Sequence, residues 1–175
     1  MRTLEERITQ YAAYHRDRRN IATHFVGIPL IVFSVTLALS VWSMPLGSIA
    51  LSAAIIAAAV AGIYYLKLDF ALGVAMAVYL ALNCVLAQEM AAMLGTANSL
   101  WAALIAFVVG WALQFWGHKF EGMKPAFVDD IMGLVIGPLF IMTEVFFMLG
   151  LKSKLKQYVE ARVGPVVARR EHQAT

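Results

Sequence analysis

The sequence predicts an all-α, polytopic membrane helix bundle with about four spanning helices, a broken re-entrant segment and an N-terminal interfacial helix. Hydrophobic residues make up 61% of the 175-residue chain and charged residues only 14%, whereas a typical globular domain is about 25% charged. The charges are also segregated, because none lies within 21–66 and only Glu89 interrupts 70–118. Apolar runs of roughly 18 or more residues with so few charges are typical of transmembrane helices.

The whole chain is expected to form one integral membrane domain, with an interfacial helix at 1–20, a membrane bundle at 21–151 and a basic surface tail at 152–175. In the first segment, Leu4, Ile8 and Tyr11 recur at helical spacing among charged residues. The net charge of +3 is concentrated at the ends of the apolar runs, where the lipid bilayer accounts for it. It therefore predicts no nucleic-acid partner. An oligomer is compatible with this composition, but nothing in the sequence specifies one.

The four spans are predicted at about 21–42, 47–66, 70–94 and 100–117, joined by short turns. If the N-terminus is cytoplasmic, a fifth full crossing would place the basic tail outside, against the positive-inside bias. The last apolar stretch, 131–151, is therefore predicted to be re-entrant and hinged at Gly137-Pro138, which returns the tail and an exposed His172 to the cytoplasm. The expected location is a bacterial inner membrane, or the endoplasmic reticulum if the chain is eukaryotic.

Two of the four histidines, His15 and His24, lie where the charged segment meets the first apolar run. On one continuous helix, nine positions at about 100° each would put the rings on opposite faces, so they converge only if the chain bends between them. Asn20 is the predicted N-cap of the second helix. Farther along, Gln114, His118 and Glu121 share one face of a helix that is expected to end at Gly122.

The predicted topology brings three imidazoles and two carboxylates to one membrane face, where they suit Fe(II) or Zn(II). Histidines with a carboxylate and open coordination positions favour non-heme iron that activates oxygen. The predicted metal ligands are His15, His24, His118 and Glu144, and the sequence leaves open whether Glu144 or Glu121 supplies the carboxylate ligand. Asn20, Gln114 and Tyr14 are expected to surround and orient these ligands.

Three separated strings of the chain carry a family resemblance: Tyr14-His15 with Asn20, His24 and Gly27-Ile28-Pro29; Gln114 with Gly117-His118, Phe120-Glu121 and Pro125-Ala126; and Pro138-Leu139-Phe140 with Glu144. Together they resemble the membrane-embedded, iron(II)-dependent 2-hydroxy-fatty-acid dioxygenases, which act in phytosphingosine breakdown in fungi. The resemblance implies an Fe(2+) cofactor and α-oxidation, in which a 2-hydroxy long-chain fatty acid and O2 give a fatty acid one carbon shorter. It also implies catalytic roles for His15, His24, His118, Glu121 and Glu144.

Three basic residues near these motifs are candidates for binding the substrate carboxylate, namely Arg18, Arg19 and Lys119. Contact with lipid head groups is an equally good explanation of each of them. The alkyl chain would lie between the spans, where each buried methylene contributes ~0.8 kcal/mol.

Other functions remain open from the sequence. The chain could be a membrane haem-binding protein with His24 and His118 as axial ligands, another metal-binding protein, a zinc hydrolase, or a small transporter in which the histidines only pack. A membrane di-iron desaturase is disfavoured, because such sites use close H-x-x-x-H and H-x-x-H-H clusters and this chain has four scattered histidines.

Overall fold

The computed structural model describes residues 2–46 and 49–169; His172 lies outside them. The predicted all-α class is confirmed in this part of the chain, apart from one β-hairpin. The elements are α1 (Leu4–Ala12), α2 (Arg18–Ser40), β1 (Ser43–Leu46), β2 (Ile49–Ser52), α3 (Ala53–Leu68), α4 (Phe70–Glu121), a short 3-10 helix (Ala126–Val128), α5 (Gly133–Met148) and α6 (Ser153–Val163). The chain divides into two compact units, the first containing residues up to Pro29 and from Trp111 onward, the second Leu30–Gly110.

In the first unit, α1 forms within the predicted N-terminal segment but is shorter than expected. Its first turn is fixed by a capping box, in which the Thr3 hydroxyl accepts from the Glu6 N–H and the Glu6 carboxylate accepts from the Thr3 N–H. The apolar face is buried and includes Leu4, Ile8 and Tyr11. Because α1 contacts both α5 and α6, this face packs against protein and fixes the end of the helix from which His15 follows.

The predicted hinge at Gly137-Pro138 is wrong, because α5 continues as a helix through both residues. Pro138 removes one helical hydrogen bond, but neighbouring packing tolerates this loss. Gly137 serves close packing instead, since a Cβ atom there would lie 2.9 Å from the Tyr11 hydroxyl oxygen. The chain bends later, by 113° between α5 and α6, where Gly150 and Lys152 have positive φ angles of 74° and 54°.

The second unit differs from expectation after α2. The predicted helix from residue 47 begins only at Ala53, because Ile49–Ser52 pairs with Ser43–Leu46 as an antiparallel hairpin. A short apolar run is compatible with either a strand or a helix, so periodicity could not distinguish them. The Ser52 side chain then caps α3 by accepting from the Ile55 N–H.

The long helix α4 is broken at Gly95, whose φ of 73° and ψ of 168° are not helical. The predicted turn at 95–99 is therefore reduced to a single residue. Inside the second unit, Leu37, Ala87 and Ala103 form a buried cluster, while many large apolar side chains point outward, such as Phe70 with 77% of its surface exposed. An outward-facing apolar surface suits a bilayer as solvent.

Within residues 2–46 and 49–169, two helices, α2 and α4, are long and apolar enough to cross a membrane, and the bent pair of α5 and α6 would count as a third span if taken together. This agrees with the predicted membrane location. The number of these helices is smaller than the four spans that the sequence predicts, partly because α3 has only 16 residues.

Candidate metal centre

The bend required between His15 and His24 lies between α1 and α2. After Ala12 the chain makes one further turn, in which the His15 N–H donates to the Ala12 carbonyl. The next helix begins at Arg18, and the Asp17 side chain caps it by accepting from the Arg19 N–H at 2.8 Å. The prediction that Asn20 is the N-cap is therefore wrong. Asn20 is the third residue of α2 and is fully buried.

The Glu121 carboxylate, at the end of α4, holds this bend in place. It accepts from the backbone N–H of Arg16 at 3.0 Å, the N–H of Asp17 at 2.9 Å and the Asn20 side-chain amide at 3.0 Å. The same Asn20 amide donates to the Tyr14 carbonyl at 3.1 Å. Both carboxylate oxygens of Glu121 therefore accept hydrogen bonds in the protein interior, and these bonds link the end of α4 to the bend.

Glu121→Gln is expected to lower the free energy of unfolding by about 2–3 kcal/mol, because either orientation of the amide would turn an NH2 group toward a backbone N–H donor. Thermal or denaturant unfolding of the purified protein measures this. Glu89→Gln makes the same chemical change at an exposed site and should have little effect. Equal stabilities of the two variants would contradict the structural role given to Glu121.

The bend and α4 bring three imidazoles together. One ring nitrogen from each of His15, His24 and His118 lies within 4.8 Å of the others, and the ring centroids are 4.5, 4.9 and 5.0 Å apart. All three side chains are buried. We call these residues the histidine cluster. Among the described residues, no carboxylate oxygen lies close enough to all three rings to join it.

The hydrogen bonds of the outer ring nitrogens determine which nitrogens face inward as lone pairs. His15 Nδ1 lies 2.8 Å from the Tyr11 carbonyl oxygen, and His24 Nδ1 lies 2.9 Å from that of Asn20. Carbonyl oxygens only accept, so both Nδ1 atoms carry the proton and both Nε2 atoms present lone pairs. These two Nε2 atoms are 3.0 Å apart. Two lone pairs at this distance repel each other unless a cation lies between them, which is the arrangement of a metal-binding site.

The surroundings keep the imidazoles neutral and dry. Tyr11 stacks on the His15 ring with centroids 4.3 Å apart and planes within 3°, and the Phe140 ring lies 5.4 Å from the same imidazole. Burial, followed by the two neighbouring imidazoles, holds the pKa of His15 well below its usual range. Protons therefore compete with a metal ion for His15 only in acidic solution.

Gly117 allows the helices that carry His24 and His118 to approach closely. A Cβ atom on Gly117 would overlap the Thr23 hydroxyl oxygen and lie 2.5 Å from Asn20 Oδ1. Sequence reasoning named Gly117 only as part of a motif of the family resemblance, without a role for it, and did not identify Tyr11 or the backbone N–H groups of the bend as parts of the site. A glycine inside a helix, next to a candidate ligand, was the available signal, because it costs about 1 kcal/mol relative to alanine unless packing requires it.

Two of the residues that were expected to orient the ligands are buried near the histidine cluster. Asn20 Oδ1 and Gln114 Nε2 are buried and have no hydrogen-bond partner within residues 2–46 and 49–169. The Tyr14 hydroxyl points elsewhere, donating to Asp129 at 2.6 Å, and only its backbone carbonyl contacts Asn20. Their orienting role stays a prediction.

The remaining predicted residues lie outside the histidine cluster. Arg19 makes a two-point contact with the Asp17 carboxylate, at 2.7 and 3.0 Å, and Lys119 is exposed. Arg18 and Glu144 line a separate cavity in the first unit. These positions do not test the predicted roles of Arg18, Arg19 and Lys119 in substrate binding or of Glu144 as a metal ligand. The predicted catalytic roles of Glu121 and Glu144 also stay predictions.

Comparison with known proteins agrees with the resemblance. Residues 1–149 match the family described as 2-hydroxy-palmitic acid dioxygenase Mpo1-like. The chain is 31% identical over 160 residues to 2-hydroxy-palmitic acid dioxygenase MPO1 of Saccharomyces cerevisiae, an alignment that covers 90% of this chain and 87% of the yeast protein. No solved structure matches the chain with significance. The predicted family is confirmed, and the chain belongs to the Mpo1-like family of 2-hydroxy-palmitic acid dioxygenases.

Proposed function

We propose that this protein is an iron(II)-dependent dioxygenase that performs α-oxidation of 2-hydroxy long-chain fatty acids, with His15, His24 and His118 as metal ligands. The observation that carries the proposal is the pair of inward-facing Nε2 lone pairs 3.0 Å apart in a buried site. One O2 balances the reaction without a further reductant, because the acid one carbon shorter, CO2 and water together contain all the atoms of the 2-hydroxy acid and O2.

The choice of metal rests on both the ligands and the reaction. Imidazole binds Zn, Cu, Fe and Ni, so the ligand set alone admits zinc. Zinc has no redox chemistry, whereas the yeast relative is named a dioxygenase. Bound Fe(2+) would supply the oxygen activation that the side chains themselves cannot provide.

The protein residues have separate roles in this proposal. The backbone carbonyls of Tyr11 and Asn20 fix the tautomers of the His15 and His24 rings, so that both present Nε2 to the metal. Glu121 acts indirectly, by holding the bend that carries His15. The Tyr11 and Phe140 rings cover His15 and exclude water.

We further propose that the chain crosses the membrane four times, with α2, α3, 70–94 and 96–121 as spans and the histidine cluster on the cytoplasmic side. At 1.5 Å per residue, each half of α4 is about 38 Å long, which exceeds a hydrocarbon core of about 30 Å. Lys67, Lys119 near the end of α4 and Lys124 after it then share the cytoplasmic face with the N-terminus, as the positive-inside rule favours.

The metal is tested on protein purified without oxygen. We expect stoichiometric iron, and O2 uptake with 2-hydroxypalmitate that is lost on chelation and restored by Fe(2+) but not by Zn(2+). Uptake by the metal-free protein would contradict the proposal. Stoichiometric zinc without uptake would favour a hydrolase, and a Soret band in the visible spectrum would indicate haem.

A further inference from the structure

A cavity of about 410 Å³ lies within the first unit, separate from the histidine cluster. Its walls come from the start of α2, the end of α5, α6 and the segment that follows α6. The volume falls within the roughly 300–1,000 Å³ of small-molecule sites in proteins.

The charged residues of the cavity carry a positive balance. Arg16, Arg18 and Lys156 line it, against the two carboxylates of Glu144 and Glu160. Arg18 and Lys156 are exposed, whereas Arg16 is only 6% exposed. The Arg16 guanidinium is fixed by donating to the His15 carbonyl at 2.9 Å and the Gly164 carbonyl at 3.0 Å. The cavity therefore combines one preorganised buried cation with two accessible ones.

The rest of the lining is mostly apolar. Ile21 and Phe25 are one turn apart on α2, Phe147 projects from α5, and Val159 projects from α6. A cavity with cations at one part of its wall and apolar side chains around the remainder is complementary to an organic anion that carries an alkyl chain.

Two connections place the cavity next to the histidine cluster. Arg16 directly follows His15 in the chain and is hydrogen-bonded to its carbonyl. Glu144 lies one helical turn after Phe140, whose ring is 5.4 Å from the His15 ring. The segment after α6 closes this region, because the Val167 N–H donates to the Arg16 carbonyl and the Val167 carbonyl accepts from the Arg18 N–H, both at 2.9 Å.

We propose that this cavity is the site where the long-chain 2-hydroxy acid first binds before its carboxylate end reaches the histidine cluster, with Arg16, Arg18 and Lys156 attracting the carboxylate and the apolar wall contacting the first methylenes. This inference rests on the proposed function for the identity of its ligand. It also gives α6 and the following segment a part in substrate binding, although the family match ends at residue 149.

Equilibrium binding of radiolabelled 2-hydroxypalmitate to metal-free protein in nanodiscs tests the cavity without requiring turnover. Lys156→Glu should weaken binding about tenfold, as expected for loss of a charged partner. In the metal-loaded enzyme it should raise KM by a similar factor and leave kcat nearly unchanged. Lys154→Glu makes the same charge change on α6 at an exposed residue outside the cavity lining and should bind like wild type.

Two further measurements separate the contribution of the ligand's carboxylate from that of its alkyl chain. Hexadecanol has the alkyl chain without the carboxylate, so its binding should be insensitive to Lys156→Glu. Ala22→Trp places a large side chain in the cavity from an exposed position on α2, and it should reduce binding of both ligands. Thermal unfolding checks that each variant is folded. If Ala22→Trp does not fold, the surface substitution Lys156→Glu is sufficient to test the cavity.

The outcomes distinguish the cavity from the reaction. If 2-hydroxypalmitate binds Lys156→Glu and Ala22→Trp as well as it binds wild type, the cavity proposal is wrong, whatever the turnover. If binding responds as expected but wild-type protein with Fe(2+) consumes no O2, the cavity stands and the proposed function is wrong. Binding that persists in His118→Ala together with loss of turnover would support both.

Discussion

His118→Ala is expected to lower iron affinity and O2 uptake with 2-hydroxypalmitate by more than about 100-fold, which is the upper range for residues that only support metal ligands. The substitution leaves two imidazoles of the three in the histidine cluster. The helix should persist, because alanine has a higher helix propensity than histidine. Metal analysis and oxygen-electrode measurements on protein purified without oxygen check the result.

The matched control is His172→Ala, which removes the one histidine that the sequence does not predict as a metal ligand and should leave iron content and uptake unchanged. Thermal unfolding of both variants separates loss of the ligand from loss of the fold. If folded His118→Ala kept stoichiometric iron and wild-type uptake, the histidine cluster would not be the metal site.

Gly117→Ala should have the second largest effect on iron affinity, although residue 117 is not itself a proposed metal ligand. The added methyl group would overlap the Thr23 hydroxyl oxygen and lie 2.5 Å from Asn20 Oδ1 and 3.2 Å from His24 Nδ1. The Thr23 hydroxyl cannot easily yield, because it donates to the Asn20 carbonyl at 2.7 Å. We expect α2 to shift at this contact, with at least about a tenfold loss of iron affinity and about 1–3 kcal/mol of stability, as for other overpacked sites.

Gly62→Ala provides the comparison, since it is also a glycine inside a helix. A Cβ atom there would lie 3.9 Å from Ala77 Cβ, an ordinary contact. This variant should therefore keep its iron and gain about 0.5–1 kcal/mol of stability from the removal of glycine's backbone entropy. Measuring iron content and the unfolding temperature of both variants tests the explanation, which fails if Gly117→Ala behaves like Gly62→Ala.

The convergence of distant histidines could be anticipated from helical geometry. His24 lies nine positions after His15, so a bend was necessary if the rings were to meet, and the structure has that bend between α1 and α2. The common face of Gln114, His118 and Glu121 likewise follows from about 100° per residue. These deductions depend only on local periodicity and on the assumption of a shared site.

Choices between chemically similar residues could not be made from the sequence. Asp17 and Asn20 are both good N-caps, and only the packing of the bend selects Asp17. The pair Gly137-Pro138 has the composition of a hinge, but in α5 the glycine accommodates Tyr11 and the helix continues. Composition records which conformations a residue permits, whereas tertiary contacts decide which of them is used.

The two carboxylates illustrate the same limit. Both Glu121 and Glu144 were predicted to be catalytic, and Glu144 also to bind the metal, yet Glu121 accepts backbone hydrogen bonds at the bend and Glu144 lines the cavity. Nothing in the local sequence distinguishes a carboxylate that supports the backbone from one that faces an open space. The distinction arises from residues about a hundred positions away, such as Arg16 and Asp17 for Glu121.

The pairing of Val167 with Arg16 and Arg18 also has a consequence for biogenesis. The backbone at Val167 completes the surroundings of Arg16 and Arg18, so this part of the first unit is assembled only after translation has passed Val167. An affinity tag appended directly after Val167 would compete with this closure, whereas a tag placed ahead of Thr3 would leave it intact.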